Sequence, residues 1–93
     1  MDFNQYQEAA RRTAIYPCEN GLVYTALGLV GESGEVAEKV KKLIRGDLLE
    51  QGQFENDMVK ELGDVLWYVA NLATELGVTL SDVAELNLTK LIK

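Results

Sequence analysis

Two long stretches, about Leu22 to Arg45 and about Glu55 to Leu76, carry apolar residues at helical spacing, and each stops at a glycine, Gly46 or Gly77. At about 100° per residue, Leu22, Leu29, Val36, Val40 and Leu43 form one stripe. Met58, Leu62, Val65, Leu66, Val69, Leu72, Ala73 and Leu76 form the other. Glycine just past a helix end relieves the left-handed turn that closes it. Asp2 followed by Gln5 reads as a capping box for a first helix, with Phe3, Tyr6, Ala10 and Ala14 on one face up to a break at Tyr16-Pro17. Thr79 followed by Asp82 repeats that pattern and opens a last helix carrying Val83, Leu86 and Leu91. Gly46 to Gln53 reads as a loop, and strand-like alternation is absent from the sequence. The expectation is an all-α fold of four helices, with the two long central helices packed as an antiparallel hairpin.

At 93 residues the chain is long enough for one domain, residues 1–93, but not for a large core. A chain of this size buries only about 60% of its unfolded surface, so oligomerisation is expected to complete the bundle. No apolar run reaches the ~18 residues of a membrane span, and the N-terminus does not read as a signal peptide. The lone Cys18 suits a reducing, cytoplasmic setting. A net charge of −6 argues against clamping a nucleic-acid polymer, which takes clustered basic residues.

The sequence contains no histidine. Ser-His-Asp triads, Cys-His pairs, histidine zinc sites and carboxylate-histidine di-iron bundles are therefore all excluded. Metal chemistry here must run on carboxylate oxygen, which favours Mg²⁺, Mn²⁺ or Ca²⁺. Glu32 falls inside the apolar stripe of the second helix, about 40° from Val36, and Glu35 sits on its edge one turn later. Gly28, Gly31 and Gly34 recur mid-helix nearby, each costing up to about 1 kcal/mol against alanine. That cost implies either a close approach by another backbone or room for a ligand. Glu61 and Asp64 flank the stripe of the third helix, above Tyr68 and Asn71. If the hairpin register brings the two pairs together, four carboxylates repel strongly, and divalent cations, Mg²⁺ first, answer that charge. The alternative is an ordinary solvated surface, in which Glu35 and Lys39 form an i, i+4 ion pair.

Glu32-Ser33-Gly34-Glu35 and Glu61-Leu62-Gly63-Asp64, with 25 residues between them, resemble the Glu-x-x-Glu … Glu-x-x-Asp signature of the MazG-like, all-α nucleoside triphosphate pyrophosphohydrolases. The segments LGLVGESGEVAEKVKK, KELGDVLWYVANLATELG and AELNLTKL resemble the same family, from about Phe3 to Lys93. The resemblance implies hydrolysis of nucleoside triphosphates at the α–β phosphoanhydride to a monophosphate and pyrophosphate. It implies Mg²⁺, with Mn²⁺ as a substitute, held by Glu32, Glu35, Glu61 and Asp64 as the catalytic and metal-binding set. It also implies contact with metal-bound phosphate by Asn87 and Lys90, and assembly as a homodimer or homotetramer. Phosphoribosyl-ATP pyrophosphatase shares the size and the acidic pattern, and a non-catalytic oligomerisation or adaptor module is the rival from another class.

Lys39 and Lys42 lie on the flank of Glu35 and read either as ion-pair partners of Glu35 and Glu38 or as contacts for substrate phosphate. Trp67 projects about 160° from the centre of the third helix's stripe. The expectation there is an interface residue, with base stacking as the second reading. Tyr68, on the carboxylate flank, is a further stacking candidate.

Overall fold

A computed structural model describes residues 1–47 and 49–92. Leu48, inside the expected loop, and Lys93, at the end of the expected domain, lie outside the described residues. Four helices follow one another: α1 (Phe3–Arg12), α2 (Gly21–Arg45), α3 (Gln53–Glu75) and α4 (Leu80–Leu91), with a single 3₁₀ turn at Cys18–Asn20 before α2. Among the described residues there is no strand, and no helix is long and apolar enough to cross a membrane. The all-α expectation stands.

Both capping boxes form. Asp2 accepts from the Gln5 N–H at 2.8 Å while Gln5 accepts from the Asp2 N–H, and Thr79 and Asp82 make the equivalent exchange at α4. Gly46 and Gly77 turn the chain at φ 90° and 76°, a region open to glycine and strained for other residues. Helix α3 starts at Gln53, two residues before the sequence suggests, behind Gly52 at φ 79°.

The long helices pack as the expected hairpin, and α1 packs on the C-terminal half of α3. The core differs from expectation. Its buried hydrophobic residues are Ala10, Tyr16, Ala70, Ala73 and Leu80, whereas Leu22, Leu43, Leu62 and Leu76 of the expected stripes are exposed. The reason is that two helices side by side make a single layer. Where α1 and α4 lie over α3 a second layer forms, and Ala10, Ala70, Ala73 and Leu80 are buried there.

Gln7 closes that second layer. Its side-chain amide donates to the Val78 carbonyl at 2.9 Å and to Thr74 Oγ1 at 3.1 Å, and its oxygen accepts from the Leu80 N–H at 2.8 Å. Nothing in the sequence pattern marked this residue, because a buried amide looks like a surface one until its partners are placed. Gln7→Leu is expected to strand the first N–H of α4 and the Val78 carbonyl, costing about 2 kcal/mol or more. Thermal melting followed by circular dichroism should fall by about 8–16 °C.

Candidate active site

Hairpin register decides whether the carboxylates meet. A β-carbon on Gly28 would run into the Tyr68 ring, and one on Gly21 would run into the Glu75 carboxylate, which also accepts from the Tyr16 hydroxyl at 3.0 Å. Moving seven residues along α2, from Gly21 to Gly28, thus moves seven back along α3, from Glu75 to Tyr68. Continued four residues further, this register brings Glu32 opposite Asp64. Carboxylate oxygens of Glu32, Glu61 and Asp64 lie within 4.8 Å of one another. Glu35 is exposed and stands outside this trio, although its charge still reaches Glu32.

The trio is electrostatically unrelieved. Partial burial first, then the charges of Asp64, Glu61 and Glu35, push the Glu32 carboxyl above its ordinary range. Among the described residues the ion pairs are Lys41–Glu38 and Arg45–Asp47, toward the C-terminal end of α2. Three oxygen donors converging with no basic side chain among them match a hard divalent cation in number and kind. The donor set therefore fits Mg²⁺ or Mn²⁺.

A cavity of about 290 Å³ opens beside the trio, lined by Glu32, Asp64, Trp67 and Tyr68. Its aromatic wall is held from behind. Trp67 meets Tyr68 edge-on at 4.9 Å, Tyr16 stacks on Tyr24 at 5.0 Å, and Tyr24 lies 6.5 Å from Tyr68. Burial, then Tyr24, Glu32 and Asp64, raise the Tyr68 phenol above its ordinary value, so it stays a neutral hydroxyl. Asn71 is fully buried; its amide donates to the Trp67 carbonyl at 3.1 Å, and its Oδ1 has no hydrogen-bond partner among the described residues.

Trp67 requires a correction. It does not face away from the intramolecular core: it is half-buried, packs against Ala10, Ala70, Ala73 and Leu80, and donates to Thr13 Oγ1 at 2.7 Å. Helix α3 is covered on two sides, by α2 and by α1, which a single-stripe reading of α3 cannot see. Tyr6 of α1 reaches the Asp64 side too; burial and the Asp64 charge raise its phenol.

A model of the MazG nucleotide pyrophosphohydrolase domain matches residues 23–93. The chain belongs to this family. It is also similar to the Gene 37 protein of Mycobacterium phage L5, at 50% identity over 100 residues, covering 98% of this chain and 86% of that protein. No solved structure matches.

The remaining residues singled out from the sequence lie apart from the trio. Lys39 and Lys42 line a different cavity near the hairpin turn, of about 190 Å³, together with Asp47, Gln53, Phe54 and Asp57. Asn87 lines an apolar groove with Phe3, Leu66, Leu80 and Val83, and Lys90 is exposed on α4. Of the three mid-helix glycines of α2, Gly28 meets a neighbour, a side chain rather than a backbone; Gly31 and Gly34 meet nothing among the described residues. Tyr24 was missed by the sequence reading. The signal that could have found it is its place one turn before Gly28, the gap that Tyr68 fills.

Proposed function

We propose that this MazG-family chain is a cytoplasmic, homo-oligomeric enzyme that hydrolyses ribo- or deoxyribonucleoside triphosphates at the α–β phosphoanhydride. The products would be a nucleoside monophosphate and pyrophosphate. The observation that carries this reading is the convergence of Glu32, Glu61 and Asp64 beside an aromatic-walled cavity. Glu32, Glu61 and Asp64 would hold Mg²⁺, with Glu35 reaching in from the rim. When bound, the cation neutralises the triphosphate, polarises the attacked phosphorus and lowers the pKa of bound water. Glu35 or Glu32 accepts the proton of the attacking water. Tyr68 and Trp67 offer ring surface to the base, and the neutral Tyr68 hydroxyl can donate to ribose or phosphate oxygen. Lys39, Lys42, Asn87 and Lys90 belong to this reading as phosphate contacts that need substrate or a neighbouring protomer to bring them in.

The test is a panel of ribo- and deoxyribonucleoside triphosphates, together with phosphoribosyl-ATP, incubated with Mg²⁺ or EDTA and resolved by chromatography. Monophosphate plus pyrophosphate, lost in EDTA, is the expected result. Diphosphate plus phosphate would overturn the assigned bond, and turnover of phosphoribosyl-ATP alone would move the chain to that pathway. In parallel, Mg²⁺ at ten times its dissociation constant should stabilise the fold by about 1.4 kcal/mol. That corresponds to a rise of about 6–11 °C in Tm; no response to millimolar Mg²⁺ or Mn²⁺, with no turnover, would favour a non-catalytic module.

A further inference from the structure

The seam between two packed helices is ordinarily apolar. In this hairpin it is charged from its middle to its turn. The register that sets Gly28 against Tyr68 and Glu32 against Asp64, continued along α2, places Glu35 opposite Glu61, Lys39 opposite Asp57 and Lys42 opposite Phe54. Lys39, Lys42, Phe54 and Asp57 do line one cavity, of about 190 Å³. At about 100° per residue, Gly28, Glu32, Glu35, Lys39 and Lys42 fall within about 80° on α2. Tyr68, Asp64, Glu61, Asp57 and Phe54 do the same on α3. The aromatic cavity, the carboxylate trio and the lysine cavity therefore follow one another along a single seam. Lys39 lies seven residues beyond Glu32, about 10 Å along the helix axis.

The two lysines carry charge that the fold does not use. Both are half-buried, and neither forms an ion pair among the described residues, where Lys41 pairs with Glu38 and Arg45 with Asp47. Asp57, half-buried on the opposite wall, pairs with neither lysine. Asp47 is occupied by Arg45 through two hydrogen bonds, of 3.0 and 2.7 Å. With Arg45 counted, Lys39, Lys42 and Arg45 stand against Asp47 and Asp57, a local positive excess in a chain whose net charge is −6. Side chains leave a helix tilted toward its N-terminus, which for Lys39 and Lys42 is the direction of Glu35 and the trio.

We infer that Lys39 and Lys42 hold the β- and γ-phosphates of the nucleotide, and afterwards the pyrophosphate product. The substrate then lies along the seam with its base at Tyr68 and its γ-phosphate toward the hairpin turn. The order of chemistry along the seam is that of a nucleoside triphosphate: ring first, then the phosphates nearest the carboxylates, then the most highly charged end. The reverse orientation would put the γ-phosphate into the cavity of Trp67 and Tyr68, which no basic side chain lines among the described residues. Unpaired amines make charge-assisted hydrogen bonds to phosphate oxygen without first breaking an ion pair. The inference rests on the hydrolase reading and adds two things to it, an orientation and a preference for triphosphate over diphosphate, which lacks the γ-phosphate.

Lys39→Met and Lys42→Met, singly and together, test it, because methionine keeps much of the apolar stem and removes the charge. Circular dichroism checks the fold, and Lys39→Gln with Lys42→Gln replaces the pair if methionine disturbs the turn. Calorimetry with pyrophosphate and Mg²⁺ should show binding to the wild type that weakens about 10-fold or more in the double variant. Lys39→Arg, which keeps the charge, should keep most of that affinity. The KM for nucleoside triphosphate should rise with the loss, and inhibition by pyrophosphate should weaken by a similar factor, while inhibition by the nucleoside monophosphate stays as it was. The advantage of triphosphate over diphosphate in kcat/KM should shrink accordingly. Unchanged pyrophosphate binding in the double variant overturns the inference. So does loss of monophosphate rather than pyrophosphate affinity, since that reverses the orientation. A wild type that turns over triphosphate but binds no pyrophosphate overturns the inference alone. One that binds pyrophosphate through these lysines but turns over no nucleotide overturns the hydrolase reading and leaves the lysine site standing.

Discussion

Replacing Glu61 with Gln or Asp64 with Asn is expected to lower triphosphate hydrolysis by at least about 100-fold and to leave the helical fold intact. The amide keeps the shape of the side chain and removes one of the oxygen charges that converge within 4.8 Å. The effect on stability should run the other way. Glu32 sits above its ordinary range because of burial, Asp64, Glu61 and Glu35, in that order. A carboxyl raised in the folded state binds its proton more tightly there than in the unfolded chain. The metal-free fold therefore loses stability as pH rises from the unfolded value of that group through its folded one. Asp64→Asn removes the largest charge acting on Glu32, so just above the ordinary carboxylate range its Tm without metal should depend less on pH than that of the wild type. Lost turnover with a preserved or raised Tm assigns these residues to the site. Parallel loss of both would mean that they hold the fold, and full activity in both variants would overturn the assignment. Glu35→Gln separates roles further. Loss of turnover with the Mg²⁺-induced Tm rise retained marks a residue that acts on water; loss of both marks a ligand.

Helix boundaries and caps were legible because they depend on neighbours in sequence: Asp2 with Gln5, Thr79 with Asp82, and glycines at positive φ after α2 and α3. The convergence of Glu32 with Glu61 and Asp64 was legible only on an assumed hairpin register. What sets that register is Gly28 receiving the Tyr68 ring and Gly21 receiving the Glu75 carboxylate. Both glycines are visible in the sequence, but their partners lie about 40 to 54 residues away, beyond the reach of any periodicity. Trp67 misled for a related reason. Its angle from the apolar stripe was right, yet the covered part of α3 is wider than the stripe, and Trp67 packs against the same cluster as the stripe's Val69 and Ala73. Gln7 carried no signal, since its burial follows from the packing of α1 on α3. The exposed leucines and valines are the remaining disagreement, and they cease to be one if the second layer of the hairpin is another chain.

The same glycine–tyrosine contact gives the second large effect. Gly28→Ala places a methyl group where the Tyr68 ring lies, and the ring cannot swing freely because Trp67 abuts it edge-on and Tyr24 lies beside it. Overpacking of this kind costs about 1–3 kcal/mol. Better helix propensity returns up to about 1 kcal/mol of that. Gly63→Ala, on the open side of α3 with nothing within 4 Å, has only the propensity gain and should raise Tm. Because Tyr68 lines the cavity beside Glu32 and Asp64, Gly28→Ala should also raise KM for the nucleotide, which Gly63→Ala should leave alone. A double-mutant cycle isolates the cause. In a Tyr68→Ala background the ring is gone, and Gly28→Ala should become neutral or stabilising, giving a coupling of about 1–3 kcal/mol between two residues 40 apart in sequence. If Gly28→Ala instead costs the same with and without the ring, the glycine serves some other contact, and the register that brings Glu32 opposite Asp64 loses its anchor.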